Sequence, residues 1–223
     1  MLRFDRAVLT AQLKLLPYAS QIAFAATCAQ RLHPIFVRGA QDWGWDSRPS
    51  EFARLLGMCW ALAGNPRDSG VLSQLETADW RALAKDSDRD EFQGYRPFVF
   101  PGIGTLEAAI NCARQTTSER AALAAQREYD GVTGIADLGV TPARRRPGMS
   151  PDEARAGDTE RRGRIRTHPV VQHALRAQER CAASLLAATK TDEAFQAELR
   201  IAAQSDGVTA LNLAMETYPR RDS

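Results

Sequence analysis

The chain has 223 residues, of which 44% are hydrophobic and 25% charged, and its formal net charge is +2 at pH 7. This is the composition of an ordinary globular protein, and it excludes a collagen-like or a wholly disordered chain. The densest apolar run, residues 22–29, is much shorter than the roughly 18 residues that a membrane-spanning helix needs. The N-terminal residues show no signal-peptide pattern. We therefore expect a cytoplasmic protein without a membrane span.

Apolar residues recur with helical spacing along most of the chain, and Gly, Pro and capping residues separate the periodic segments. Asp5, Ser50 and Ser118 are placed as N-caps, and Gly64-Asn65-Pro66 is typical of a helix C-terminus. The predicted helices cover residues 5–16, 20–39, 50–64, 71–83, 102–114, 118–138 and 169–186, and a last helix begins at 192.

Three segments do not follow this pattern cleanly. Pro34 is expected to kink or interrupt the second helix, and residues 95–101 read as an aromatic connector. Residues 207–215 fit either a short strand or a last helical turn. We predict an all-α fold, with residues 1–223 forming a single compact bundle of about seven to nine helices.

Positive charge is concentrated in one segment, residues 142–167. It holds eight arginines against four acidic residues, together with several Pro and Gly. The segment lacks apolar periodicity, and little apolar area is available there to offset the entropy of ordering the chain. The sequence therefore predicts an exposed Arg-rich loop at about 142–167 and no basic surface on the body.

No pattern of a cofactor, metal or catalytic site is present. The three histidines have neither the Glu-x-x-His nor the i, i+4 spacing of a helical metal site. Gly102-Ile103-Gly104 lacks the remaining glycines of a dinucleotide fingerprint, and we interpret it as a tight turn. The four cysteines lie far apart among apolar neighbours, which favours buried, reduced thiols. We expect no catalytic residue, no metal and no cofactor.

Tryptophan and acidic residues cluster in the connection after the second predicted helix. Trp43 and Trp45 are flanked by Asp42 and Asp46, and Tyr95 lies in the later connector. Tryptophan and tyrosine are enriched at the energetic centres of protein interfaces, so these five residues form the predicted binding site. Since large aromatic residues are mostly buried, packing into the core under the loops is the alternative.

Several short segments, in this order, resemble the bacterial family of helical proteins called domain of unknown function 416. They are residues 21–24, 28–34, 73–76, 94–97, 149–153, 168–172 and 198–200. Relative to that family, residues 155–166 look inserted. The resemblance implies an all-α fold, and it implies no activity because the family has none assigned as a class.

The function that these observations favour is that of a non-enzymatic interaction protein. Its partner would be another protein, and one bacterial role of this kind is an immunity protein that binds and neutralises a cognate toxin. The alternatives are a nucleic-acid-associated protein using the arginines of 144–166 and an enzyme whose site is assembled only in three dimensions. Nucleic acid is the weaker alternative, because arginines without a folded recognition element give salt-sensitive contacts. Self-association into a homo-oligomer stays open.

Overall fold

The computed structural model describes residues 1–84, 96–115, 117–140, 150–188 and 192–217. Within these ranges all regular secondary structure is helical, which confirms the all-α prediction and its helix count. The α-helices are α1 Arg6–Leu13, α2 Tyr18–Asp42, α3 Arg48–Gly64, α4 Ser69–Thr77, α5 Arg96–Arg114, α6 Ser118–Gly139, α7 Pro151–Thr167, α8 Pro169–Ala187 and α9 Glu193–Thr217, and Trp80–Ala84 forms a 3-10 helix.

Helix α2 is the centre of the structure. It packs against α3, α5, α6, α8 and α9, and 16 of its 25 residues are buried. Most of its surface is therefore in contact with other helices. Its residues contribute to both hydrophobic clusters of the core, with Phe24 and Phe36 in one and Leu32 and Ile35 in the other.

A charged pair lies inside this core. The guanidinium of Arg31 on α2 donates two hydrogen bonds, of 2.6 and 2.7 Å, to the carboxylate of Glu128 on α6, and both side chains are at most 3% exposed. Gln178 on α8 donates its amide to Glu128 and to the Ala125 carbonyl. Arg31 also donates to the Cys28 sulfur at 3.3 Å. The network therefore joins α2, α6 and α8.

The electrostatics of this network keep Arg31 charged. Burial is the largest single influence and lowers the pKa of Arg31, but the attraction to Glu128, the hydrogen bonds to it and the remaining interactions together hold the pKa well above its ordinary value. For Cys28, burial and then the negative charge of Glu128 raise the pKa, so its thiol stays protonated at neutral pH. The fold tolerates a buried ion pair when hydrogen bonds compensate both charges. A single uncompensated charge at the same place would strongly reduce the free energy of unfolding.

Some predicted helix boundaries were wrong, because tertiary packing overrides local breakers. Helix α2 runs through Pro34 without interruption, and Gly207 of α9 lies against the Arg31 carbonyl and the Pro34 ring. Helix α5 begins at Arg96 and contains Pro101, where a connector was expected. The approach of Pro101 to Gly131 of α6 is too close for a side chain at that glycine. Gly102-Ile103-Gly104 is consequently helical and not a turn.

The remaining helix boundaries differ less from the predicted ones. Helix α1 ends three residues before the predicted 16, α3 begins at Arg48 with Pro49 in its first turn, and residues 71–83 split into α4 and the 3-10 helix. The ambiguous tail, 207–215, is part of the continuous helix α9. The Asp5 cap and the end of α3 at Gly64 are confirmed.

The second half of the predicted Arg-rich loop is a helix in the structure, so the prediction of a loop was wrong there. Residues Pro151–Thr167 form helix α7, which starts with a capping box between Ser150 and Glu153. These reciprocal hydrogen bonds satisfy backbone donors that a helix start otherwise leaves unpaired, and the sequence reasoning missed that signal. None of its residues is buried, and Ile165 packs against the second hydrophobic cluster. Residues 142–149 lie outside the described residues.

The four cysteines are all buried and none forms a disulfide bond, as predicted. Burial raises the pKa of each thiol, and for Cys112 it reaches about 12. Among the described residues, none of the helices is apolar over a length that would cross a bilayer.

The substitution Glu128→Gln tests the buried pair. It leaves the charge of Arg31 uncompensated in the core, and we expect the free energy of unfolding to fall by about 3–5 kcal/mol. Urea unfolding monitored by circular dichroism measures the change. The matched control is Glu51→Gln, which removes the partly exposed pair with Arg54 and should cost less than about 1 kcal/mol. Equal losses for both variants would contradict the central role of the pair.

The substitution Arg161→Ala tests how α7 is held. Arg161 donates to Asp137 of α6 at 2.7 Å, an ion pair that joins α7 to the body. Without it, trypsin should cleave within residues 151–167 faster, while urea unfolding of the body changes by less than about 1 kcal/mol. Arg164→Ala is the control, because Arg164 pairs with Glu160 inside α7 itself. Unchanged cleavage in Arg161→Ala would show that other contacts hold the helix.

Candidate functional site

The connection between α2 and α3 is a tightly defined turn, which we call the tryptophan turn (residues 42–46). The Trp45 N–H donates to the Ala40 carbonyl at 2.8 Å, and the Gly44 N–H donates to the Gln41 carbonyl at 3.0 Å. These two bonds form a Schellman motif, and Gly44 adopts the left-handed conformation that the motif requires, with φ at 82°. The backbone therefore fixes where Trp45 projects from the end of α2.

The side chains of the turn are held from both sides. Trp43 and Trp45 are half-buried and pack against the larger hydrophobic cluster. The Arg48 guanidinium lies 5.2 Å from the centre of the Trp45 ring, within cation–π range. Asp42 accepts a hydrogen bond of 2.8 Å from Arg38, one turn earlier on α2. The two tryptophans are thus ordered on a rigid helix junction, with part of each ring at the surface.

The structure brings together four of the five predicted binding residues. Asp42, Trp43, Trp45 and Asp46 share the turn, and Asp46 is exposed. Tyr95 lies outside the described residues. Each tryptophan side chain is partly buried against the core and partly exposed, so packing into the core accounts for only part of each ring. The binding role of the two residues stays a prediction.

A second surface feature is the groove between α3 and α9, which we call the α3–α9 groove. Both helices rest on α2 and make few contacts with each other. The gap holds a cavity of about 630 Å³ beside Gly57, Trp60, Ala61 and Gly64 of α3 and a second of about 340 Å³ beside Ala53 and Leu56. Arg200 of α9 borders both cavities, so they lie next to each other along α9.

The floor of the groove is polar where α2 reaches it. Gln30 accepts a hydrogen bond from the Trp60 indole at 3.3 Å and donates to Gln204 of α9. His33 lines the smaller cavity, and its ring packs 5.1 Å from that of Phe52. Ile201, at the rim, is 70% exposed. The groove therefore combines hydrogen-bonding groups on its floor with an exposed apolar edge.

Sequence reasoning missed this groove. Gly57 and Ala61 are ordinary small residues in a helical pattern, and Ile201 fits the apolar periodicity of α9. Helical spacing identifies which residues share a face of a helix. It does not show whether another helix packs against that face. No signal in the sequence distinguishes these residues from core positions.

The arginines of α7 are largely neutralised. Arg155 pairs with Asp152, Arg164 with Glu160, and Arg161 with Asp137 of α6. Helix α7 carries five arginines against four acidic residues, so little net charge is left to attract a phosphate backbone.

Within the part of the chain that the structure describes, no three His, Cys, Asp or Glu side chains are arranged to hold a metal ion. No protein-family model matches the chain, and no match was found among curated proteins or solved structures. The resemblance to domain of unknown function 416 therefore stays a prediction.

We expect the histidine in the groove to make stability depend on pH. Burial lowers the pKa of His33 below its ordinary value of 6.5. The unfolded chain then binds the proton more tightly than the folded chain, so stability is full above about pH 6.5 and is lost as pH falls towards the folded pKa. We expect the urea midpoint to fall between pH 7 and 5 and to fall less in His33→Gln. His173→Gln is the control variant. If the urea midpoint of His33→Gln falls as much as that of wild type, His33 is not the cause of the pH dependence.

Proposed function

We propose that the chain is a non-enzymatic interaction protein that binds another protein through the tryptophan turn. The observation that supports this proposal is the turn itself, where two tryptophans are ordered before any partner binds. A side chain that is already immobile loses little conformational entropy on binding, which increases affinity for a given contact area. Half-buried aromatic residues on a rigid element are the usual anchors of an interface.

The charge of the turn indicates the chemistry of the partner. Asp42 is paired with Arg38, and the Arg48 guanidinium lies over the Trp45 ring, so the exposed Asp46 is the acidic group of the turn that a partner would meet. An acidic group at the rim of an aromatic anchor favours a basic group opposite it. We therefore propose a partner that places a lysine or arginine opposite Asp46.

Within this class we propose that the chain neutralises a toxin, as an immunity protein does. Occluding a toxin needs a rigid complementary surface and no reaction chemistry. A cytoplasmic location and membership of the domain of unknown function 416 family are parts of the same proposal. Nucleic-acid binding is the competing proposal, and it requires an affinity that falls steeply with salt.

A photo-reactive amino acid at position 46 tests the binding face in the source cell. Asp46 is exposed beside the rings, so irradiation should yield one predominant adduct whose partner is identified by mass spectrometry. Position 186 is the control, because Leu186 is also exposed but lies on α8. No adduct at 46, or the same adducts at both positions, would refute the tryptophan turn as the binding site.

Once the partner is identified, substitutions in the turn measure how much the turn contributes to the binding affinity. Trp45→Ala should weaken binding about 30-fold, the effect of losing a hot-spot residue of roughly 2 kcal/mol. Gly44→Val should weaken binding as well, because it strains the left-handed turn without removing a contacting side chain. Leu186→Ala should change nothing. For toxin neutralisation, the partner should arrest growth when expressed alone, and wild type should restore growth better than Trp45→Ala.

A further inference from the structure

We propose that the smaller cavity of the α3–α9 groove binds a small 2-hydroxy acid, a carboxylate with a hydroxyl group on the adjacent carbon and a short apolar side group. This inference goes beyond the proposed protein partner and does not depend on it, because the residues that line the smaller cavity do not include those of the tryptophan turn. It rests on one hydrogen-bond acceptor, one donor and one positive charge at the cavity.

The acceptor is the Nε2 atom of His33 on α2. This atom is buried and has no hydrogen-bond partner among the described residues. The ring does interact with the backbone of Pro49, and since proline has no N–H, its carbonyl is the group that accepts. In a neutral imidazole the proton then lies on Nδ1, and Nε2 is left as an acceptor. A buried acceptor without a partner is unfavourable, so a donor in the cavity would stabilise it.

The donor is the side-chain amide of Gln204 on α9. An indole N–H can only donate, so Gln30 turns its Oε1 atom towards Trp60. The amide nitrogen of Gln30 then donates to the Oε1 atom of Gln204. These two bonds determine the orientation of both amides, and they leave the amide nitrogen of Gln204 as a donor at the cavity.

The positive charge is that of Arg200. Among the described residues that line the smaller cavity, none is acidic, and burial lowers the pKa of His33 so that its ring is neutral at pH 7. The acidic side chains of Asp192 and Glu193 line the larger cavity instead. The smaller cavity therefore favours an anion, and it offers no carboxylate that would neutralise an ammonium group on the ligand. One guanidinium beside one neutral amide suits the single charge of a carboxylate.

Apolar side chains complete the walls of the cavity. Ala53 and Leu56 of α3 lie on one side and Ile201 of α9 on the other. The volume of about 340 Å³ is near the lower end of the range for small-molecule sites, roughly 300–1,000 Å³. Arg200 and Ile201 are exposed at the rim, and exposed side chains change rotamer within nanoseconds, so the entrance can open for a small molecule.

These features together define how the ligand lies. Its carboxylate contacts the guanidinium of Arg200 and the amide nitrogen of Gln204. Its hydroxyl group donates to Nε2 of His33, and an uncharged donor fits this position better than an ammonium group because no carboxylate is nearby. Its apolar group covers Ile201, which is 70% exposed without a ligand.

Two-dimensional ¹H–¹⁵N NMR of the full chain tests the site, with 2-hydroxy-4-methylpentanoate as the probe. The indole N–H of Trp60 reports on the cavity because it donates to Gln30, and Trp60→Phe identifies its signal among the four tryptophans. We expect this signal to shift saturably and more than the other three. Two comparison compounds, 4-methylpentanoate without the hydroxyl group and leucine with an ammonium group in its place, should bind about tenfold more weakly. No shift at millimolar probe, or equal affinity for all three compounds, would overturn the proposal.

Substitutions test the two side chains that recognise the probe. Arg200→Gln should weaken binding of 2-hydroxy-4-methylpentanoate about tenfold or more, because a charge-assisted hydrogen bond is lost. Arg176→Gln, at an exposed arginine of α8, is the control and should change nothing. His33→Leu should remove the preference over 4-methylpentanoate, and His33→Gln, which keeps an acceptor, should retain part of it. Circular dichroism checks that each variant folds, and Arg200→Gln decides alone if His33→Leu does not. Unchanged affinity in Arg200→Gln, or an unchanged preference in folded His33→Leu, would overturn the proposal.

Discussion

The ion pair of Arg31 and Glu128 is the constraint on which the arrangement of the helices depends. Two charges inside an apolar core are tolerated only when hydrogen bonds compensate them, so the pair fixes the rotation and register of α2 against α6. Gln178 extends that requirement to α8 because it donates to Glu128. Gly207 of α9 lies against the carbonyl of Arg31, which ties the same turn of α2 to a fourth helix. One turn of the central helix thus defines the position of three neighbours.

Placing α2 at the centre also accounts for the groove. Helices α3 and α9 each bury their apolar faces against α2, and little remains that would draw them to one another. Small residues on α3, Gly57 and Ala61, leave the gap open, while Gln196 closes one end by donating to the Ala63 carbonyl. The groove is therefore a vacant position in the helix packing, with dimensions that α3 and α9 set together.

Sequence reasoning succeeded where local signals agree with packing and failed where packing decides. Helical periodicity located most helices, and the apolar surroundings of the cysteines correctly indicated burial. Proline was the main source of error, because Pro34 and Pro101 lie in helices that close neighbours hold in place. Arg31 and Glu128 gave no signal, since a charged residue within a helical pattern shows its burial only once its partner, 97 residues away, is known. The tryptophan turn was identified by residue type, but its rigidity comes from hydrogen bonds and packing that residue type does not reveal.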